Sequence, residues 1–255
     1  MGNNKCTPWL NSIKDAILKE DDSTVFIVDW RYGADVPEYG TAASNTETTS
    51  EAIALVAQAI LYSSTFRGNT NDLYLYCIGH SLGAHTCGQA GRKSKTFDGD
   101  PLFDRITGLD PAGPGFETCG SNKNIDKDSA ECVDIIHTDG TLKGHLLPTI
   151  HFGTLNQWGH IDFYPNGGHD QPGCTPLGND CGCSHRKAPE LYLATIGKPD
   201  SCESVGFCSS SELLPESCSN ATRQLMGYYS PCHFRSAQVV EGIFYLDVQP
   251  NNPYC

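Results

Sequence analysis

The pentapeptide Gly79-His80-Ser81-Leu82-Gly83 constrains the fold more than any other feature of this sequence. It follows an apolar, strand-like run over residues 73–78 and precedes a helix-compatible run over residues 82–93. In that context a Gly-x-Ser-x-Gly motif predicts a sharp strand–turn–helix elbow that projects Ser81 above the edge of a sheet. Side chains at positions 79 and 83 are expected to collide with the neighbouring strand and helix. The alternative interpretation is a glycine-rich turn at a helix start.

The rest of the chain alternates helix-like and strand-like segments, a pattern typical of parallel strands joined by crossover helices. Reactive groups of such sheets gather beyond the carboxyl ends of the strands. Residues 174–183 and 198–232 are rich in Cys, Gly, Pro and Ser, and they are predicted to be loops held by disulfides. The other predicted elements are, in chain order, helix 8–18, strand 24–29, helix 51–62, strand 105–109, strand 133–137, strand 159–164 and helix 185–196.

Length and cysteine content bound the class of protein. The 255 residues predict one α/β domain over 1–255, with a mainly parallel central sheet and helices on both faces. Thirteen cysteines indicate an oxidising, extracellular compartment and disulfide-rich loops. Asn220-Ala221-Thr222 is an N-glycosylation acceptor, which fits secretion. Residues 1–5 lead into Cys6 without an apolar leader, so the cysteines and not an export signal carry this inference.

Charge and hydropathy exclude two classes of partner. The net charge of −13, with no basic stripe, argues against nucleic acid and against electrostatic capture by anionic lipid. The sequence has no run of 18 apolar residues, so no transmembrane segment is expected. Binding at a lipid surface would therefore depend on apolar contacts.

A serine needs a base and an orienting carboxylate before it becomes a nucleophile. Asp110 follows the strand 105–109 and precedes Pro111, which makes it the natural acid; the alternative is an ordinary turn-capping aspartate. The order Ser, Asp, His of α/β-hydrolases requires the histidine to come later. Periodicity does not choose among the histidines that follow, which are His137, His145, His151, His160, His169, His185 and His233.

Four blocks of sequence carry a resemblance to a known family. Together they resemble the animal pancreatic lipase family, which includes triacylglycerol lipases, lipoprotein lipases, phospholipases A1 and some yolk proteins, and which has the α/β-hydrolase fold. The likeness covers almost the whole chain. The blocks are Gly79-His80-Ser81-Leu82-Gly83-Ala84-His85, Gly108-Leu109-Asp110-Pro111-Ala112, residues 133–140 (VDIIHTDG) and residues 159–168 (GHIDFYPNGG).

The resemblance implies roles for individual residues. Ser81 matches the nucleophile, Asp110 the acid and His185 the base, while the rival His160 falls in a block that looks structural in the family. The N–H of Leu82 matches one donor of the oxyanion hole. The second family donor falls before Gly2, so the resemblance implies a catalytic domain that lacks its early strands. Larger lipases of the family carry a β-sandwich after the catalytic domain, and because this sequence stops at Cys255, no such domain is expected here.

The resemblance also implies a structural calcium site and some disulfides. Asp126 matches a calcium ligand, Ser129 stands where a second carboxylate is expected, and Asp128 is a substitute ligand. The predicted disulfides are Cys119–Cys132 and Cys174–Cys183. The cluster Cys181-Gly182-Cys183-Ser184-His185 has spacing too narrow for a closed zinc site, and disulfides explain it better.

The resulting hypothesis is a secreted serine hydrolase that cleaves carboxylic ester bonds of lipids at a lipid–water interface, with no cofactor required. A triacylglycerol lipase is favoured slightly over a phospholipase A1, and a non-catalytic lipid-binding or yolk-type relative is the competitor from another class. Two loops disagree on substrate: 174–183 is short, as in phospholipases A1. The segment 140–158 is long, as in triacylglycerol lipases. Its apolar residues are candidate lipid contacts, and ordinary loop packing is the alternative; they are Leu146, Leu147, Pro148 and Ile150.

Overall fold

A seven-stranded sheet organises the residues described by the structure, a computed structural model. Those residues are 9–63, 73–95, 99–117, 122–141, 151–174, 182–206, 223–233 and 239–255. The spatial order of the strands is β1-β2-β3-β4-β7-β5-β6. The strands are β1 (Tyr76–His80), β2 (Arg105–Leu109), β3 (Cys132–Ile136), β4 (Ile161–Pro165), β5 (Glu203–Gly206), β6 (Arg223–Leu225) and β7 (Gly242–Leu246).

Strands β1 to β4 and β7 are parallel, which confirms the mainly parallel sheet of an α/β-hydrolase fold. Strands β5 and β6 pair antiparallel to each other, and β5 also pairs antiparallel to β7. Both fall in segment 198–232, so the prediction of loop for that whole segment was wrong. Their short sequences (ESVG and RQL) lack an apolar alternation, and their strand geometry depends on pairing with distant residues.

Helices cover both faces of the sheet, and two separate apolar clusters mark the faces. One cluster joins α1 and α5 to Leu109 and Ile136, and the other joins α3 and α4 to Ile106 and Val133. Alternate residues of a strand point to opposite faces, so β2 and β3 contribute to both clusters. The helices are α1 (Trp9–Glu20), α2 (Arg31–Ala34), α3 (Tyr39–Tyr62), α4 (Leu82–Lys93) and α5 (Cys183–Thr195). Among the described residues, no helix is long and apolar enough to cross a bilayer.

Helix α3 begins twelve residues before the predicted start at position 51. Its first half contains Gly40 and several Ser and Thr residues, which have low helix propensity. Tertiary packing overrides that preference. The buried positions of α3 are small (Ala42, Thr46, Ser50, Ala54, Ala57), so α3 lies close against α4, where Gln89 is hydrogen-bonded to Thr46 at 3.1 Å.

The strand predicted over residues 24–29 is absent, and this segment has no regular secondary structure. Phe26 is 65% exposed, and Ile27 and Val28 are also exposed. Apolar β-branched residues favour a strand only when a neighbouring strand accepts their backbone hydrogen bonds. Among the described residues, β1 at the sheet edge pairs with β2 alone, so residues 24–29 do not join the sheet there.

Four disulfides join the described residues. Cys174–Cys183 is present, as predicted. The predicted Cys119–Cys132 bond was wrong, because Cys132 at the start of β3 is bonded to Cys232, one hundred residues later. The turn Pro231–His233 packs against β3, and that contact is not visible in the local sequence. The remaining bonds are Cys77–Cys87 and Cys202–Cys255; Cys119 and Cys181 lie outside the described residues.

A buried ion pair links β2 to β3. Arg105 and Asp134 have no exposed side-chain surface and form two parallel bonds, Nε to Oδ1 at 2.9 Å and Nη2 to Oδ2 at 2.7 Å. The carbonyls of Gly227 and Tyr228 accept further Arg105 N–H groups, and Thr107 Oγ1 donates to Asp134. The pair is thus fully hydrogen-bonded, which a buried charge pair requires. It also fastens the turn after β6 to the sheet.

We expect Asp134→Asn to lower the free energy of unfolding by about 3–5 kcal/mol, because it leaves the Arg105 cation buried without its counter-ion. Denaturant unfolding followed by circular dichroism measures the change. The control is Glu203→Gln, which breaks the exposed pair with Arg223 (side chains 65% and 50% exposed) and should cost less than about 1 kcal/mol. Equal losses in the two variants would contradict the assignment of Arg105–Asp134 as a stabilising pair.

Candidate active site

Ser81 lies at a sharp turn between β1 and α4, as the motif predicts. Its backbone adopts φ 57° and ψ −123°, a region that non-glycine residues rarely occupy. A Cβ at Gly79 would lie 2.2 Å from the carbonyl oxygen of Gly83, so position 79 requires glycine. The prediction for Gly83 was wrong, because a Cβ there meets no atom within 4 Å. The close approach occurs on the strand side of the turn only.

Asp110 directly follows β2 and is completely buried. Its backbone also has a positive φ, 41°. Carboxylate oxygen Oδ1 accepts the N–H groups of Thr138 (2.7 Å) and Asp139 (3.0 Å), and Oδ2 is 2.5 Å from Nδ1 of His185. The carboxylate therefore caps the turn after β3 with one oxygen and contacts a histidine with the other. The turn-capping alternative therefore describes one oxygen, and the role of Asp110 as the triad acid stays a prediction with which the His185 contact agrees.

His185 is the third residue of α5, which begins after Gly182, a residue in the left-handed conformation. The Cys174–Cys183 disulfide holds this start of the helix. A carboxylate accepts hydrogen bonds, so Nδ1 of His185 carries a proton and Nε2 keeps its lone pair in the neutral ring. This is the tautomer that a general base requires.

His160 lies elsewhere. It precedes β4, at the amino end of a parallel strand, whereas Ser81 and Asp110 follow carboxyl ends. Its Nδ1 accepts the backbone N–H of Val133 at 2.9 Å. His137 is bonded instead to Asp162 and to the carbonyl of Thr154. Among the described histidines, His185 is the one hydrogen-bonded to Asp110.

Leu82 is the first residue of α4, and the first four N–H groups of a helix have no acceptor within the helix. Its N–H follows Ser81 directly, where the positive end of the helix dipole favours developing negative charge. This position fits the role expected of an oxyanion donor.

The segment 151–153 packs against Asp110, and the sequence analysis did not single it out as a unit. Asp139 holds the segment: its carboxylate accepts from Nδ1 of His151 (3.0 Å) and the N–H of Phe152 (2.9 Å), and its carbonyl accepts from Gly153 (3.0 Å). Burial, with the nearby Asp110 charge, raises the pKa of Asp139. The Phe152 ring is partly exposed and lies 5.5 Å from the His185 ring. An aromatic surface thus borders the site.

The residues expected to bind calcium do not fit a cation as they are folded. Oδ1 of Asp126 accepts from Nη1 of Arg92 at 2.9 Å and from Ser129 Oγ at 3.0 Å. Arg92 also donates to the carbonyl of Asn122 at 2.7 Å, so its guanidinium already occupies the place between these oxygens. Asp128 is exposed. Calcium binding stays a prediction, and these donors give it no support.

Three further features of the sequence analysis lie outside the described residues. They are the glycosylation acceptor Asn220, Cys181 of the zinc-like cluster, and the apolar loop residues 146–150. They stay predictions.

Comparison with known proteins places the chain in a family. The family model described as Lipase matches residues 3–254. The chain belongs to the lipase family. It is 32% identical to pancreatic lipase-related protein 2 of Cavia porcellus over 244 residues, which is 94% of the chain and 52% of that protein. It is 33% identical to lipase member H of Xenopus tropicalis over 267 residues, which is 97% of the chain and 52% of that protein.

Another relative of the chain has a name that marks it as inactive. The inactive pancreatic lipase-related protein 1 of Homo sapiens is 30% identical over 242 residues, 87% of the chain and 48% of that protein. The chain spans about half the length of the curated relatives that it matches. Family membership is therefore shown, while the activity of the chain has to be argued from its own residues.

We expect Gly153→Ala to reduce ester turnover by about 100-fold, because a Cβ there would lie 2.5 Å from both carboxylate oxygens of Asp110 and would displace them. Steady-state kinetics on a soluble ester measures the loss. Gly40→Ala is the control, since a Cβ at that position meets no atom within 4 Å. Unchanged turnover in Gly153→Ala would show that this packing does not position Asp110.

We expect dialysis against EDTA to leave the thermal midpoint unchanged, because Arg92 already neutralises Asp126. Differential scanning fluorimetry with EDTA and with added calcium checks this. A midpoint that falls on chelation and returns with calcium would contradict the poor fit described above.

Proposed function

We propose that this lipase-family chain is a serine hydrolase that cleaves carboxylic ester bonds of lipids through Ser81, His185 and Asp110. The observation that carries the proposal is the 2.5 Å contact between Nδ1 of His185 and Asp110, at the sheet edge where the elbow presents Ser81. Ser81 and Asp110 follow the carboxyl ends of the adjacent parallel strands β1 and β2, and His185 lies in α5, which packs on the same sheet. This combination supports an acyl-transfer site.

The proposed reaction proceeds through an acyl-enzyme. Oγ of Ser81 attacks the acyl carbonyl carbon while Nε2 of His185 takes its proton, and Asp110 stabilises the imidazolium that forms. The carbonyl oxygen becomes an oxyanion near the N–H of Leu82. The intermediate collapses as His185 returns the proton to the leaving alcohol. Water, activated by His185, then attacks the acyl-enzyme and releases the fatty acid; these steps need no cofactor.

For the substrate we propose an acylglycerol in preference to a phospholipid. The partly exposed Phe152 beside His185 supports an apolar acyl chain at the site. The chain carries no basic excess that would favour an anionic headgroup, since its net charge is −13. Phospholipase A1 activity is the alternative within the same chemistry. The four disulfides support a secreted, extracellular protein.

The competing function is non-catalytic lipid binding. It is considered because one relative of the chain is named inactive. The retention of Ser81, Asp110 and His185 favours catalysis. So does the contact of the Asp110 carboxylate with Nδ1 of His185, which a protein that only binds lipid does not need.

A fluorophosphonate probe tests the function directly. We expect it to label the folded chain once, at Ser81, as read by mass spectrometry of peptides. Ser81→Ala should abolish labelling and reduce turnover of a soluble ester by about 10⁴-fold or more, because the nucleophile is lost. Ser44→Ala, at an exposed position of α3, is the matched control and should change neither.

Two outcomes would overturn the proposal. Folded protein with a cooperative thermal transition that resists the probe would favour lipid binding. Turnover that survives in Ser81→Ala would place the chemistry elsewhere. Comparison of a triacylglycerol emulsion with phosphatidylcholine vesicles then decides between the two substrate classes.

A further inference from the structure

Pro189 stands inside α5, four residues after His185. Proline has no N–H, so it cannot make the helical hydrogen bond to the carbonyl four residues earlier. The helix therefore leaves the backbone carbonyl of His185 without its usual donor. His185 is only 8% exposed, and a buried carbonyl without a partner costs free energy comparable to a lost hydrogen bond.

His80 supplies the missing donor. Its Nε2 lies 2.8 Å from the carbonyl oxygen of His185. A carbonyl oxygen accepts, so Nε2 carries the proton and donates it. His80 is the residue immediately before Ser81, at the end of β1. One hydrogen bond thus connects the elbow that carries Ser81 to the helix that carries His185.

The rings reinforce this connection. The ring centroids of His80 and His185 are 4.4 Å apart, and Trp9 contacts the His80 ring edge-on at 5.6 Å. Desolvation of the His80 ring, with a smaller contribution from His185, lowers the pKa of His80 to about 3. At neutral pH His80 is uncharged, so it donates without placing a positive charge beside the base.

We propose that His80 is a positioning residue for His185, and that Pro189 keeps the His185 carbonyl available to it. The inference rests on the proposed function, in which Nε2 of His185 must meet Oγ of Ser81. His80 holds the backbone of the base to the residue adjoining the nucleophile, so the relative position of the two groups does not depend on the loops between them. Misplacement by about 1 Å costs about 100-fold in rate.

A double-mutant cycle tests whether His80 positions His185 or only supplies a hydrogen-bond donor to the His185 carbonyl. The variants are His80→Ala, Pro189→Ala and the pair together. Alanine at 189 restores a helical N–H to the His185 carbonyl but not the connection to the elbow. We expect His80→Ala to lower the thermal midpoint. We also expect it to lower kcat 10- to 100-fold, when kcat is calculated per active site counted by fluorophosphonate labelling, and to change KM less than twofold. In the double variant the midpoint should recover and kcat should not.

Two further variants sharpen the test. His80→Gln keeps an amide donor where Nε2 stood, and it should retain most of kcat. His160→Ala is the matched control, because it also removes a histidine whose ring bonds to a buried backbone group, but at the opposite edge of the sheet. It should lower the midpoint and leave kcat unchanged.

Recovery of kcat in the double variant would overturn the positioning role, and so would unchanged kcat in His80→Ala. Two of the measurements do not depend on enzymatic activity. They are the thermal midpoints of the four proteins in the cycle and the low-field proton NMR resonance of the His185 Nδ1–H. We expect that resonance to shift or broaden in His80→Ala and in the double variant, and an unaltered resonance would overturn the proposal. Wild-type protein without Ser81-dependent turnover would contradict the proposed function alone, since these two readouts still report on His80.

Discussion

The ladder of hydrogen bonds between β1 and β2 fixes the site. The strands pair in parallel from Tyr76 with Arg105 to His80 with Leu109, so Ser81 and Asp110 each follow a residue of the last pair. The ladder continues into the turns, because the N–H of Ser81 donates to the carbonyl of Leu109. Both residues then take positive φ angles, 57° and 41°. Such conformations cost about 1–3 kcal/mol each and persist where the surroundings over-determine them.

The surroundings do so by close packing behind the elbow. Helix α4 approaches the segment 125–129 without space for side chains: a Cβ at Gly91 would lie 1.8 Å from the carbonyl oxygen of Ser129, and one at Gly88 would lie 2.6 Å from Ile125. The Cys77–Cys87 disulfide spans the turn and joins β1 to α4. A loop of that length lowers the entropy of the unfolded chain by an amount that stabilises the fold by about 3 kcal/mol. The packing of α4 and the Cys77–Cys87 disulfide thus offset the backbone strain at Ser81, the residue directly before α4.

The sequence was sufficient where the determinants are local. The elbow, α4 and β2 have the predicted positions, since strand, turn and helix propensities agree over short stretches. Gly79 was predicted correctly and Gly83 was not, because the motif does not say which glycine meets the neighbouring backbone. The choice of His185 over six other histidines depended on resemblance, and its contact with Asp110 crosses 75 residues.

Non-local contacts account for the failures. Residues 24–29 have strand propensity but do not join the sheet, and β5 and β6 have little propensity but find partners. Cys132 bonds to a cysteine 100 residues away, which spacing cannot indicate. The hydrogen bond from His80 to the carbonyl of His185 joins residues 105 positions apart, so the motif around Ser81 does not indicate it.

Family membership and activity are separate questions for this chain. Similarity of 30% over 87% of the chain to a relative named inactive shows that this level of likeness extends to proteins without turnover. In the proposed mechanism, turnover depends on a small set of hydrogen bonds around His185: Asp110 on its ring and His80 on its carbonyl. Asp110 follows β2 and His80 ends β1, so the register that pairs these two strands also orients His185. A substitution that preserves the fold but breaks either bond would leave the resemblance intact and alter the chemistry.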